Sequence, residues 1–246
     1  ASASFQAAAA NADWEKTPGY RVILTDQPGP LDLIVDSGKV YWSLAANTGL
    51  CGSDGLVMQC DADACEATAA PLVSSVCSAG LAVDAANVYI AEHSGGDGTV
   101  ERCARSGCAG NSDELAEVLT GPTSLAAAGG ALVWTAGASD PANGGAVFVC
   151  DPGDCTPQAL ASGPNILPVS VATDGLRAYW PNVDGTIMAC ALTGCDNLPQ
   201  LLTTGPANPH AIATNGVDVV WSTAPMGPGG VYKLTVDGSE AAPTTV

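Results

Sequence analysis

The sequence predicts an all-β fold: a five-bladed β-propeller of four-stranded antiparallel blades closed by an N-terminal strand, with a six-bladed ring or a strand-swapped oligomer as alternatives. Three observations predict it. A unit recurs five times at steps of 41 to 48 residues, each unit offers short strand-like runs separated by turns, and the second run ends on Trp in four of the five copies. Units of that length, unable to bury their own faces, are the mark of blades that shield one another. With 29 Gly and 17 Pro in 246 residues, long helical bundles are excluded.

The first half of the unit is an apolar strand, a turn and a second strand: LIVDSGKVYW (33–42), LAVDAANVYI (81–90), LAAAGGALVW (125–134), VATDGLRAYW (171–180) and IATNGVDVVW (212–221). Its terminal position is Trp42, Ile90, Trp134, Trp180 and Trp221. Those Trp residues end buried strands, so they are expected to pack between blades rather than stack on sugars. A loop of variable length leads to the second half, GLVMQCDADAC (55–65), GTVERCARSGC (98–108), GAVFVCDPGDC (145–155), GTIMACALTGC (185–195) and GVYKLTVDGS (230–239). A short apolar run then supplies the fourth strand before the next unit opens. The expected repeats are 30–76, 77–121, 122–167, 168–208 and 209–246, forming one domain over 20–246 after an Ala/Ser-rich lead at 1–19.

Residues 20–29 match the outer strand and exit turn of a preceding unit. Tyr20–Thr25 is therefore expected to add to the last blade and close the ring, or else to add to a neighbouring molecule and string copies together. Trp14 lies outside every repeat and is a candidate anchor for the lead.

The VYW strand followed by GTIMACALTG resembles YWTD- and NHL-type propeller repeats, and more closely the secreted bacterial propellers that carry a paired Cys in each blade. The resemblance covers residues 30–240. It implies a binding platform or lectin, less often a lyase or hydrolase, and says little about activity because folds of this kind host many functions.

Cys60/Cys65, Cys103/Cys108, Cys150/Cys155 and Cys190/Cys195 each enclose four residues, placed by the repeat across the hairpin joining third and fourth strands. Local disulfides are the expected pairing. A zinc site is the rival, but pairs dispersed one per blade cannot converge on a metal. Cys51 and Cys77 are expected to bridge on the loop face. Ten cysteines at regular spacing indicate an oxidising compartment, hence an extracellular, cell-surface or periplasmic protein. The lead lacks an initiator Met and reads as the start of a chain whose export signal is gone. Acids outnumber bases 25 to 7, a formal charge of −18 that repels nucleic acid. No apolar run approaches the roughly 20 residues of a membrane-spanning helix.

Function, if exerted at the channel mouth, falls to the starts of the inner strands. Asp32, Gly80, Ser124, Ser170 and Ala211 occupy one equivalent position there, and Asp32, His210, Ser124, Ser170, His93 and Glu92 are the candidate ligand-binding residues. His93 and His210 are the two imidazoles, which raises an acid–base reading with Asp32 or Glu92. Against it, the second and fifth units are not neighbours in a five-membered ring. No nucleophile elbow, HExxH or phosphate loop is present. Acidic turns at 52–55, 94–98 and 182–185 are weak candidates for Ca²⁺, and no other cofactor is implied.

The expectation is thus an exported non-enzymatic module for binding, interaction or surface structure. A protein or glycan partner at the loop face is implied, with a monomer favoured over a strand-swapped polymer. The alternatives are a carbohydrate-binding propeller, a lyase or hydrolase with its site at the channel mouth, and a strand-exchanged filament subunit.

Overall fold

The structure, a computed structural model, describes residues 23–45, 55–74, 76–94, 97–118, 121–137, 144–206, 208–223, 229–236 and 244–245. Their strands fall into five antiparallel four-stranded sheets whose members follow chain order. Blade one holds β1 (Pro30–Asp36), β2 (Lys39–Leu44), β3 (Leu56–Asp61) and β4 (Ala70–Ser74), with one short helix, α1 (Cys65–Thr68), between the last two. Blade two holds β5 (Ser78–Val83), β6 (Asn87–Ser94), β7 (Asp97–Ala104) and β8 (Asp113–Val118). Blade three comprises β9 (Pro122–Ala128), β10 (Ala131–Ala136), β11 (Gly145–Cys150) and β12 (Gln158–Gly163). Blade four comprises β13 (Ala172–Thr173), β14 (Arg177–Pro181), β15 (Thr186–Ala191) and β16 (Gln200–Thr204). Blade five comprises β17 (Pro209–Thr214), β18 (Asp218–Thr223), β19 (Val231–Thr235) and β20 (Thr244–Thr245).

The turn between first and second strands shows why the repeat reads as it does. Asp84 accepts hydrogen bonds from the N–H groups of Ala86 and Asn87 at 2.8 and 2.7 Å and from the Tyr89 hydroxyl at 2.6 Å. Asp174 does the same for Leu176, Arg177 and Tyr179. The Asp-to-Tyr spacing of the second and fourth units is therefore a turn clamp, whereas Asp36 and Tyr41, at the same spacing, are joined through Arg105. Burial works against charge on Asp84 and Asp174, yet these donors outweigh it and hold their carboxyls below the usual range. Burial, with the facing carboxylate, pushes the Tyr89 and Tyr179 hydroxyls up to about 12. Blades one and three use instead a hairpin with two consecutive left-handed residues, Ser37–Gly38 and Gly129–Gly130.

Alternation along each strand gives every sheet two apolar faces. The Trp side looks back at the preceding blade and the Tyr side forward to the next. Tyr41, Val57, Leu72 and Val73 of blade one meet Leu81, Val88, Ile90 and Cys103 of blade two. Tyr89, Val100 and Val118 meet Leu125, Leu132 and Trp134. Val133, Val147 and Leu160 meet Val171, Ala178 and Trp180, and Tyr179 and Ile187 meet Val219, Trp221 and Leu234. The Trp residues are core, as their strand-ending position predicts.

Four disulfides join the predicted pairs: Cys60–Cys65, Cys103–Cys108, Cys150–Cys155 and Cys190–Cys195, with Cα separations of 4.8, 5.4, 5.1 and 5.7 Å. One detail of their placement is corrected. The second Cys of each pair does not lie opposite the first on the fourth strand: Cys65 opens α1, and Cys108, Cys155 and Cys195 lie in the connections that precede β8, β12 and β16. The connections between third and fourth strands run to seven or eight residues, so the second Cys is reached before the fourth strand begins. The cystines also do more than tie hairpins. Cys103, Cys150 and Cys190 belong to the inter-blade clusters, and their partners Cys108, Cys155 and Cys195 pack against the same clusters half-buried. Cys108 Sγ lies 3.6 Å from the Leu72 carbonyl oxygen of blade one, and Cys195 Sγ lies 3.4 Å from the Leu160 carbonyl oxygen of blade three. Each of these two sulfurs thus touches the outer strand of the preceding blade. Leu234 fills the place of the first Cys in blade five, pairing with Val219 as Cys60 pairs with Val40. Cys77 is disulfide-bonded, while Cys51, its expected partner, lies outside the described residues. A second correction concerns the fifth unit. Trp221 faces Tyr232 as Trp42 faces Met58, so Gly229 rather than Gly230 is the counterpart of Gly55.

The third correction is the strand that completes blade five. The outer strand of blade five is β20, which pairs through Thr244 and Thr245 with Lys233 and Tyr232. The edge predicted to receive Tyr20–Thr25 is therefore occupied. Residues 20–22 lie outside the described residues, and the adjoining Ile23–Gln27 forms no strand. It lies on the back of blade one, where Leu24 packs with Val40, Trp42 and Leu44 and the Gln27 amide oxygen accepts from Trp42 Nε1 at 3.0 Å. Among the described residues no apolar cluster joins blade five to blade one. The exposures show it: Leu33 is 61% exposed where its counterparts Leu81, Leu125 and Val171 are 3, 7 and 5% exposed. Val231 is 45% exposed where Val57, Val100, Val147 and Ile187 are 0% exposed.

Replacing Cys150 and Cys155 together by Ala is expected to leave the fold in place while removing about 2 kcal/mol of stability. Differential scanning calorimetry should read this as a fall of about 4–8 °C in the melting midpoint.

Candidate functional site

The inner strands begin with a bulge in four blades: the register shifts between Pro30 and Leu33, Ser78 and Gly80, Pro122 and Ser124, and Pro209 and Ala211. A bulge re-aims the side chain beside it. At this position Asp32 accepts from its neighbour Leu33 N–H at 2.8 Å and, through its other oxygen, from Leu81 N–H of blade two at 2.7 Å. Ser124 likewise accepts from Val171 N–H of blade four at 3.2 Å. Two of the six candidate residues thus bridge blades. Charge-assisted bonds of the Asp32 type are about twice as strong as neutral ones.

Gly80 keeps the same position free of a side chain. A Cβ there would stand 3.3 Å from Ser124 Cα, so the backbones of blades two and three approach closely. Ser170 is half-buried, with its hydroxyl oxygen buried and without a hydrogen-bond partner among the described residues. His210 is exposed on β17. His93, on β6, donates its backbone N–H to the Cys77 carbonyl at 2.9 Å. Its ring fills the place a side chain at Gly121 would take, since a Cβ on Gly121 would sit 1.9 Å from Nδ1. The two imidazoles lie on blades two and five, so the structure does not bring them together.

Glu92 has a partner that the sequence motifs do not reveal. Across the β6–β7 hairpin Glu92 faces Thr99 and Ile90 faces Glu101, which places both carboxylates on one side of blade two. The Thr99 hydroxyl lies 3.4 Å from Glu92 and 3.1 Å from Glu101, and Ser112 donates to Glu101. Burial, then the neighbouring Glu101 carboxylate, pushes Glu92 up to about 7. The pair therefore holds a proton near neutrality that two separate surface carboxylates would have lost. Its only signal in the sequence is the period-two spacing of the hairpin, which needs the register to be read.

Of the acidic turns, 182–185 is described almost wholly through its own hydrogen bonds. Asn182 accepts from Leu167 N–H at 3.0 Å, and Asp184 accepts from both Thr186 N–H and its hydroxyl. Parts of the turns at 52–55 and 94–98 lie outside the described residues. Among the described residues no three His, Cys, Asp or Glu side chains gather as metal ligands would. An open cleft of about 530 Å³ lies between Val118 of blade two and Trp134, Phe148 and Gly163 of blade three. Among the described residues Glu117 is the one charged residue that lines it.

No family model and no curated protein matches the sequence. Solved structures do. A chain of a nidogen/laminin complex matches with a TM-score of 0.64 at 14% identity, over 84% of this chain and 76% of that one. TolB from Acinetobacter baumannii matches with a TM-score of 0.59 at 15% identity, over 85% and 52%. The computationally designed Ika8 protein matches with a TM-score of 0.56 at 17% identity, over 84% and 58%. The fold is a β-propeller's. This chain spans little more than half of the TolB and Ika8 chains, and identities this low carry the architecture alone.

Glu92 is destabilising in its ionised form, because its folded value of about 7 lies above the 4.5 of an unfolded chain. Stability should fall as pH rises from about 4.5 through 7. Glu92→Gln is therefore expected to raise the melting midpoint at pH 8 by about 2–4 °C, what about 1 kcal/mol gives a domain of this size once solvent screening of so open a group is allowed for. At pH 4 the midpoint should barely move. Equal shifts at both pH values would contradict the shared proton.

Proposed function

We propose that this chain is an exported, non-enzymatic propeller that serves as a binding or interaction module. The observation that carries the reading is the use of the polar positions at the inner-strand starts. Asp32 and Ser124, the side chains best placed for a ligand, hold the backbones of neighbouring blades. The imidazoles stand on separate blades, so among the described residues no His-based nucleophile, base and orienting group converge as hydrolytic catalysis requires. What the loop face offers a partner is the exposed His210, on a chain whose acids outnumber its bases 25 to 7. A protein or glycan with basic or hydrogen-bond-donating groups fits that chemistry.

Four formed disulfides support an oxidising compartment, because thiols at such positions stay reduced in the cytosol. No helix among the described residues is long and apolar enough to cross a membrane. A carbohydrate-binding role has the 530 Å³ cleft as its support, although Trp134 there is buried and offers no open stacking face.

Export and turnover are tested together. Protein recovered from its source is expected in an extracytoplasmic fraction with no thiol alkylated before reduction. It is also expected to show no turnover of p-nitrophenyl esters, p-nitrophenyl glycosides or unsaturated-product-forming polysaccharides. Reduced cysteines in a cytosolic fraction would overturn export, and turnover abolished by His210→Ala would replace the module with an enzyme.

A further inference from the structure

The end of the sheets where first strands turn into second carries an arginine at three of the four junctions that join blades one to five in order. Between blades one and two Arg105 donates across to the Tyr41 hydroxyl and the Asp36 carboxylate, and Lys39 of blade one pairs with Asp61 at 2.8 Å. Between blades two and three Arg102 donates to the Pro152 carbonyl at 2.9 Å. Arg177 of blade four lies beside the Tyr179 hydroxyl, on the side that packs toward blade five. Between blades three and four the matching places hold Leu192 for Arg105, Val149 for Arg102, and Ala131 for Arg177 and Lys39. The backbone fixes these matches. Arg105 and Leu192 each donate their N–H at 2.9 Å to a turn carbonyl, that of Ala86 and that of Leu176. Arg102 and Val149 each precede the first Cys of a pair. Lys39, Ala131 and Arg177 each open a second strand.

At that third-to-fourth junction lies an open cleft of about 420 Å³. Ala131, Val149 and Leu192 line it, together with Asp151 and Asp154 of the blade-three cystine loop, and among the described residues no Lys or Arg does. All of its lining falls within 121–137 and 144–206, two stretches described without a break. Asp151 stands where Asp61 meets Lys39 in blade one, since Leu132 pairs with Cys150 as Val40 pairs with Cys60. Its counter-charge is thus missing at Ala131. We propose that this cleft docks an arginine side chain of a partner protein, the group that the chain itself supplies at the other three junctions. Ala131, Val149 and Leu192 suit the aliphatic stem, and the two carboxylates suit the planar fork of guanidinium donors. The cleft lies at the opposite end of the sheets from the loop face, so its failure and that of the loop-face reading are separate results.

The probe is the peptide acetyl-Gly-Arg-Gly-amide, titrated into the isotope-labelled 246-residue chain and followed by amide chemical shifts. Saturable shifts are expected at Gly129, Gly130, Gly175 and Thr193, all on the cleft. A citrulline peptide, which keeps the shape and removes the charge, should bind about fivefold more weakly, as one exposed ion pair allows. Asp154→Asn should weaken the arginine peptide to a similar degree, and because Asp154 is exposed the fold should be unchanged. Leu192→Arg sets into the cleft the residue that Arg105 provides between blades one and two, and should abolish the shifts while circular dichroism stays the same. Absence of saturable shifts at those four amides, equal affinity for the citrulline or a lysine peptide, or binding that survives Leu192→Arg would overturn the proposal. So would binding seen only when Lys16→Gln and Arg21→Gln are combined, which would make the occupant the chain's own lead.

Discussion

Every feature of this chain follows from sheets that are apolar on both sides. An antiparallel sheet can leave one face to water, but the alternating residues here put Tyr41 and Val57 on one side of blade one and Val40 and Trp42 on the other. Such a sheet gains most when it is covered on both sides. Burying a Val, Leu or Ile side chain contributes about 1.5–3 kcal/mol, and each junction gathers several. The bridging hydrogen bonds of Asp32 and Ser124 contribute about 0.5–3 kcal/mol each, so packing holds the blades and the polar contacts set their registration.

Those polar contacts are placed where packing cannot choose. Sliding one sheet over another exchanges one Val for another at little loss, whereas Asp32 has a single acceptor position for Leu81 N–H. Arg105 acts in the same way at the outer end of the junction. It donates to the Tyr41 hydroxyl at 3.0 Å, to the Asp84 and Asp36 carbonyls at 2.9 and 3.1 Å and to the Asp36 carboxylate, while its guanidinium lies over the Tyr41 ring. Arg105 lowers the Asp36 carboxyl correspondingly. The residues most attractive as chemistry on a loop face thus serve as pins between blades, and this shifts the functional reading toward recognition.

The sequence made the blades legible because each blade is local. Strand, turn, strand and cystine lie within about 45 residues, and the Trp, Gly and Cys that mark them recur in step. The Cys pairing was legible for the same reason, whereas the contact of Cys108 and Cys195 with the preceding blade was not, since Leu72 and Leu160 lie 36 and 35 residues upstream. The Asp84–Tyr89 clamp was not legible, because it needs the register Leu81–Ile90 and Ala82–Tyr89 to be read. What spans blades was not legible. The partner of Asp32 is 49 residues away, and the Glu92–Glu101 pair depends on a hairpin register that a loop of uncertain length conceals. Closure was least legible of all. Whether the end faces meet depends on the rotation accumulated over five blades, which no residue reports, and the pairing of Thr244–Thr245 with β19 left no edge for the N-terminal strand.

Hydroxyl-radical footprinting of the free chain, read residue by residue with mass spectrometry, measures the central claim most directly. Packing between neighbours alone predicts rapid oxidation of Leu33 and Val231 and protection of Leu81, Leu125, Val57 and Val147. Protection of Leu33 and Val231 to the same degree as those internal counterparts would contradict it, because both side chains would then be packed as the internal ones are.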